Sequence, residues 1–336
     1  MMKPKVGFAM AADKTKYVFD AAALERLEQS CTIVRREPLE EFDSPAARAL
    51  LAEIDILITG WGCPMVTAPV VASAPRLRLI AHAAGTVKYT LDPAVYAAGI
   101  AVTHAADANA VPVAEYTLAA ILFSNKRMFE LRDRYRADPG RKSSYALTNA
   151  PIGNYQRTVG LVGASRIGRK VARLLRPFDF TVLLSDPYVL PGDPVTEDAE
   201  LVSLDEVMTR ADVVSIHAPS LPSTRGMIGA RHFGLMQDGA CFINTARGAV
   251  VDEAAMIAEL QTGRIHAVID VTEPEIPAAD SPLYTLPNVF LTPHVAGAVG
   301  TERLRLGQLA IAEIERFVAG ERLEFAVEPE LLERLA

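Results

Sequence analysis

The chain alternates short apolar runs with amphipathic stretches along nearly its whole length. Val6–Met10, Cys31–Val34, Ile54–Thr59, Leu77–His82 and Ala101–His104 read as strands. Between them, Ala21–Gln29, Ala46–Ala52, Val66–Ala72 and Pro93–Ala98 carry apolar positions at helical spacing. The alternation resumes further on, with apolar runs at Val159–Val162, Phe180–Leu184, Asp212–His217, Gly239–Asn244, Ile265–Val271 and Val289–Thr292. Helices are predicted over Leu204–Thr209, Glu253–Gln261 and Glu302–Val318. Continuous apolar strands separated by helices are the pattern of a parallel sheet with both faces covered. The expected class is α/β, with two Rossmann- or flavodoxin-like parallel-sheet domains. Two segments interrupt the rhythm. Val113–Arg136 reads as one long helix, apolar on most sides at first and charged later. Asp138–Asn154, rich in Pro, Gly, Ser and Asn, reads as a loop.

One stretch carries more than an architectural signal. Thr158–Tyr188 is strand, glycine turn, helix, strand and acid, with the turn Gly163-Ala-Ser-Arg-Ile-Gly168 and the acid Asp186. This is the order of a dinucleotide fingerprint. Gly163 permits a tight turn, and Gly168 lets the helix lie close on the sheet. The helix N-terminus offers N–H groups and a positive dipole end to a pyrophosphate. Asp186 is placed to accept from ribose hydroxyls and would repel a 2′-phosphate. No Arg stands in Asp186–Asp193, so NAD is favoured over NADP. Ser165 replaces the middle glycine, where a side chain takes room from the pyrophosphate, although its hydroxyl can donate to a phosphate. A βαβ unit of this shape that binds nothing is the competing interpretation.

Composition narrows the partners. The chain has 336 residues, enough for two domains, and a net charge of −7. That charge speaks against a nucleic-acid partner. No apolar run reaches membrane-spanning length, and the N-terminus lacks a signal-peptide pattern, so a cytoplasmic protein is expected. Cys31, Cys63 and Cys241 are far apart, which predicts free thiols and no metal site.

Ligands of parallel sheets sit at the carboxyl ends of strands. In the first domain those ends carry Trp61 on a glycine-flanked loop and the small-residue loop Gly85-Thr86-Val87. Backbone N–H groups of such loops can face an anion. Trp61 either walls a pocket or packs in the core. In the second domain Arg247, Glu275 and His294 fall at successive strand ends. That set fits hydride transfer to a carbonyl. Arg anchors a carboxylate in two-pronged fashion, His protonates a nascent alkoxide, and a carboxylate orients the His. A cleft between the two domains is expected to hold the ligands.

The blocks TVGLVGASRIGRKVA, INTARGAVVDE, IDVTEPEIPAADSPLYTLPNVFLTPHVAG and VPVAEYTLAAIL resemble, in order and spacing along the chain, the D-2-hydroxyacid dehydrogenases. The resemblance is strong from Val111 to Gly297 and looser before. It implies an NAD domain, residues 107–297, inserted into a substrate-binding domain formed by 1–106 and 298–336. It implies a homodimer acting on a small 2-oxo or 2-hydroxy acid, with Arg247, Glu275 and His294 as the catalytic set. Glu273 competes for the carboxylate role, and gapless matching of the DVTEPE block favours Glu275. The resemblance also implies that Gly163, Ser165, Arg166, Ile167, Gly168, Asp186 and Pro187 contact the cofactor. His217, Ala218, Pro219, Thr224, Thr245, Ala246, Asp270, His294 and Gly297 would complete that contact. Substrate would meet Trp61, Gly85, Thr86, Val87 and Arg247. The loop after the fourth strand departs from the family, with Tyr89-Thr90 in place of its usual Asp-Asn pair, so the substrate itself does not carry over. An NAD-sensing binding protein of the same fold is the alternative from another class.

Overall fold

The computed structural model describes residues 2–138, 140 and 142–329. The chain divides into two compact units, one of residues 1–109 and 298–336 and the other of residues 110–297.

The first unit is built on a five-stranded parallel sheet of β1 (Lys5–Ala9), β2 (Thr32–Ile33), β3 (Ile56–Thr59), β4 (Leu79–His82) and β5 (Ala101–His104), in the order β2-β1-β3-β4-β5. This is the flavodoxin-like doubly wound order. Ala9, Thr59, His82 and His104 are paired in register from strand to strand, so four strands end on one line. The central strands are buried throughout, and apolar clusters cover both faces of the sheet. Helices α1 (Ala12–Val18), α2 (Ala21–Ser30), α3 (Pro45–Glu53), α4 (Ala68–Ala72) and α5 (Ala94–Ala97) connect them. The α1 helix lacks an apolar stripe, with only Val18 buried, so its periodicity is silent.

The second unit is a seven-stranded parallel sheet. Its strands are β6 (Arg157–Val162), β7 (Phe180–Ser185), β8 (Glu200–Leu201), β9 (Val213–Ile216), β10 (Cys241–Asn244), β11 (His266–Ile269) and β12 (Val289–Leu291). The order β12-β11-β10-β9-β6-β7-β8 is the Rossmann order with one strand added at the β12 edge. The class expected from the alternation is therefore the observed one, two doubly wound parallel-sheet units. Register again aligns the carboxyl ends: Ser185, Val162, Ile216, Asn244, Ile269 and Leu291 form one row across six strands.

Two expectations need correction. The long helix over Val113–Arg136 is two helices, α6 (Ala106–Asn125) and α7 (Met128–Ala137). They are separated at Arg127, which adopts the left-handed conformation at φ 51°. Its guanidinium donates to Glu130 at 2.9 Å and to the Gly239 carbonyl at 3.3 Å, and it meets His266. Phe129 stacks on Phe290 at 4.1 Å between ring centroids. Those tertiary contacts turn the chain where helical propensity alone would carry it on. The stretch expected as a loop contains α8 (Lys142–Leu147); residues 139 and 141 lie outside the described part. The break between the two compact units falls at 109/110, inside α6.

The remaining helices of the second unit are α9 (Arg166–Leu175), α10 (Leu204–Arg210), α11 (Ala230–Leu235) and α12 (Glu253–Gln261). The chain then returns to the first unit as α13 (Leu304–Ala319), whose Leu306, Ala310, Ile311 and Ile314 are buried. Among the described residues no helix is long and apolar enough to cross a membrane.

Candidate active site

Because six strands of the seven-stranded sheet end in one row, the residues just past them also line up. These are Asp186, Gly163, His217, Thr245, Asp270 and Thr292, so six loops begin on one edge.

At β6 the chain turns at Gly163 with φ 103°. A Cβ there would lie 2.6 Å from the Ala218 nitrogen. At Gly168 a Cβ would lie 2.1 Å from the Gly163 carbonyl oxygen. Both glycines are thus demanded by close backbone approach. Ser165 caps α9, its hydroxyl accepting from the Gly168 N–H at 3.3 Å. The side chain at the imperfect position therefore serves the helix start, and its own O–H remains a donor. Arg166 and Ile167 form the first turn. Asp186 accepts from the Ala164 N–H at 2.7 Å and the Tyr188 N–H at 2.8 Å, holding the glycine turn to the end of β7 beside Pro187. Arg169, the cation whose field Asp186 also reaches, is paired with Asp193 at 2.5 and 2.8 Å. Sequence reading overlooked that pair, which joins residues 24 apart.

His217, Ala218 and Pro219 follow β9 in line with the turn. Thr224 donates to the Pro219 carbonyl at 2.5 Å and closes that loop. His217 is buried, and both ring nitrogens lack a hydrogen-bond partner among the described residues. Burial pushes its pKa down to about 3. His82 and His266 are lowered to about 4, by burial first and then by His104 and Arg127 respectively. The unfolded chain takes up these protons near pH 6.5, while the folded chain refuses them until pH 4 or below. Stability carried by these groups is complete above about pH 7. It is lost as pH falls, at about 1.4 kcal/mol per group and pH unit. Melting temperature is expected to be level from pH 7 to 8 and to drop steeply below pH 6. A level profile down to pH 5 would contradict it.

After β10, Thr245 Oγ1 and Thr117 Oγ1 lie 3.2 Å apart. The Asn244 side chain accepts from Ala246 N–H and donates to the Arg247 carbonyl, each at 3.1 Å. These bonds hold the Arg247 backbone extended, and its guanidinium donates to the Ala246 carbonyl at 2.7 Å. After β11, buried Asp270 accepts from Thr292 Oγ1 at 2.6 Å, Val295 N–H at 2.8 Å and Ala296 N–H at 2.9 Å. The Asp270 carboxylate thus binds the loop that carries His294, on the same strand-end row as the dinucleotide turn. His294 itself is left-handed, φ 54°, and its N–H donates to the Asp270 carbonyl at 2.9 Å. The strained backbone is thus fastened on both sides. His294 Nδ1 and Glu275 Oε1 are 2.5 Å apart. Glu273 faces Arg225 at 3.5 Å instead. Gly297 ends the loop as the last residue of this unit. Glu275 and His294 are thereby brought into contact, and Arg247 lies on the adjoining strand end.

In the first unit Gly85, Thr86 and Val87 follow β4. Their N–H groups meet no protein acceptor among the described residues. The Thr86 carbonyl faces the ring of buried His82, whose Nδ1 is 2.9 Å from Thr59 Oγ1. Trp61 follows β3 and packs partly against two apolar clusters.

Known proteins share both the sequence and the fold. Residues 118–296 match the model of the D-isomer specific 2-hydroxyacid dehydrogenase NAD binding domain. The chain is 32% identical over 309 residues to D-3-phosphoglycerate dehydrogenase of Mycobacterium leprae, covering 90% of this chain and 57% of that protein. It therefore spans little more than half the length of that relative. It is 32% identical to glyoxylate reductase of Thermofilum pendens, covering 92% of each. Among solved structures, D-lactate dehydrogenase with NAD+ from Lactobacillus jensenii superposes with a TM-score of 0.78 at 26% identity, over 96% of this chain and 99% of that one.

Proposed function

Because the chain belongs to the D-isomer specific 2-hydroxyacid dehydrogenase family, we propose that it interconverts a 2-oxo acid and a D-2-hydroxy acid with NAD. The observation that carries this reading is the Glu275–His294 pair, seated beside the Arg247 loop on the edge that also bears the dinucleotide turn. The glycine cradle and Asp186 fit a dinucleotide: two positions exclude any side chain, and a carboxylate stands at the end of β7. Bound NADH supplies the hydride that reduces C2. Arg247 holds the substrate carboxylate and polarises the carbonyl. The open N–H groups of Gly85, Thr86 and Val87 bind carboxylate oxygen in the first unit. His294 donates a proton to the developing alkoxide, and in the reverse direction removes it. Glu275 accepts from Nδ1–H, which fixes the ring so that Nε2 faces the substrate, and it stabilises the imidazolium.

NAD is preferred to NADP because Asp186 would repel a 2′-phosphate and Arg169 is already neutralised by Asp193. Residues 107–297 serve the cofactor, residues 1–106 and 298–336 serve the substrate, and the active form is a homodimer. The test is a panel of 2-oxo acids (glyoxylate, hydroxypyruvate, pyruvate, phenylpyruvate) assayed with NADH and NADPH in parallel. Reduction needs His294 protonated and oxidation needs it neutral. Reduction is therefore expected to weaken with rising pH while oxidation strengthens. Tight NADH binding with no turnover on any member would sink the enzymatic reading. Flat profiles in both directions would sink the role of His294.

A further inference from the structure

Three side chains far apart in sequence meet at the carboxyl edge of the five-stranded sheet. Tyr17 lies near the end of α1, which follows β1; Trp61 follows β3; Arg303 ends a short 3-10 turn, Gly300–Arg303, ahead of α13. The Arg303 guanidinium carbon is 5.7 Å from the Trp61 ring centroid and 5.8 Å from that of Tyr17. Lys16 Nζ lies 5.0 Å over the same Tyr17 ring. Arg303 donates from Nε to the Ala298 carbonyl at 3.3 Å, and no carboxylate among the described residues forms an ion pair with it. Its neighbour Glu302 turns away, accepting from the Val299 N–H at 2.9 Å.

The same group reaches back to the anion loop. Ala298 N–H donates to Asn109 Oδ1 at 3.0 Å. The Asn109 amide nitrogen is the nearest atom to a Cβ built at Gly85, at 3.7 Å. Arg303 is thus linked through two residues, Ala298 and Asn109, to the loop whose N–H groups are open. A guanidinium held against aromatic faces is pre-oriented but not neutralised, and its two terminal nitrogens keep their donors. Two cations thus share one ring, Lys16 and Arg303 on Tyr17, in a chain whose net charge is −7.

We propose that Arg303, with Lys16 beside it, is a second anion site. It selects 2-oxo or 2-hydroxy acids that carry a further carboxylate or phosphate at the end remote from C1. This rests on the reading of the chain as a 2-oxo acid reductase. Arg303 binds the distal anion through its terminal N–H groups, and Trp61 and Tyr17 wall the path to it.

Substrates matched except for the distal anion test it in the whole chain. 2-Oxoglutarate is compared with its 5-methyl ester, which lacks the distal charge, and 3-phosphohydroxypyruvate with hydroxypyruvate. The member with the distal anion, in at least one pair, is expected to have a kcat/KM about tenfold or more above its partner, by the usual worth of a charged hydrogen bond. That ratio shrinks as salt rises. In Arg303→Met it collapses toward one through KM, and Arg303→Lys restores part of it. Which pair responds tells carboxylate from phosphate. A direct readout needs no turnover: Trp61 is the only tryptophan, so the substrate with the distal anion should change its emission in wild type and not in Arg303→Met. Equal kcat/KM within both pairs, or a ratio that survives in Arg303→Met, overturns the proposal while leaving the reductase reading in place. No turnover on any of the four, with NADH still bound, would overturn the reductase reading; a charge-selective emission change would then still support the anion site, and its absence would overturn that too.

Discussion

His294→Ala is expected to lower turnover in both directions by about a thousandfold, within the range that general acid–base groups contribute. NADH affinity should change by no more than about threefold, because the dinucleotide cradle is built from other loops. The reasoning starts from geometry. The ring sits on a left-handed residue whose following neighbours, Val295 and Ala296, donate their N–H groups to the Asp270 carboxylate. Removing the imidazole therefore deletes a proton donor without releasing the loop. The measurement is steady-state turnover on the best substrate of the panel, with NADH titrated separately by fluorescence. A second pair of variants separates the glutamates. Glu275→Gln should cost roughly ten- to a hundredfold, the usual effect of a partner that orients and charges a catalytic His. Glu273→Gln should stay close to wild type, since its carboxylate faces exposed Arg225. Near wild-type turnover of His294→Ala would remove the residue from the mechanism, whatever the fate of Glu275.

The sheet strands were legible because they are continuous apolar runs buried on both faces, as at Ile56–Thr59 and Cys241–Asn244. The dinucleotide turn was legible for a different reason: close backbone approach leaves glycine as the only tolerable residue at 163 and 168, and that demand is written in the sequence. What stayed hidden depends on contacts between distant positions. The break at Arg127 is enforced by Gly239, His266 and Phe290, none of them its sequence neighbours. The α1 helix was invisible because it has no apolar stripe. Asp270 sits one residue past its strand, and nothing in that position says that its carboxylate gathers the donors of Thr292, Val295 and Ala296. Arg303 gave no signal, since an arginine ahead of a helix is ordinary until Trp61 and Tyr17 are seen against it.

The glycine turn yields the second large effect. In Gly168→Ala the added methyl would sit 2.1 Å from the Gly163 carbonyl oxygen and 3.3 Å from the His217 Cβ. The first contact is backbone and cannot rotate away, so α9 must back off the turn or the turn must open. Overpacking of this kind costs about 1–3 kcal/mol of stability. Its larger consequence is for the ligand, because the helix N-terminus that faces a pyrophosphate moves with it. We expect folded Gly168→Ala to lose NADH affinity by about a hundredfold or more, corresponding to about 2.7 kcal/mol. Ser165→Gly provides the contrast. It removes the cap on α9, for which glycine costs only a few tenths of a kcal/mol, and it restores the middle glycine of the fingerprint. Its NADH affinity should stay within about fivefold of wild type, less than 1 kcal/mol. Circular dichroism and melting establish that each variant is folded before NADH is titrated. If Ser165→Gly lost binding and Gly168→Ala kept it, the pyrophosphate would have to be held by the serine hydroxyl, and the backbone cradle would no longer explain the cofactor.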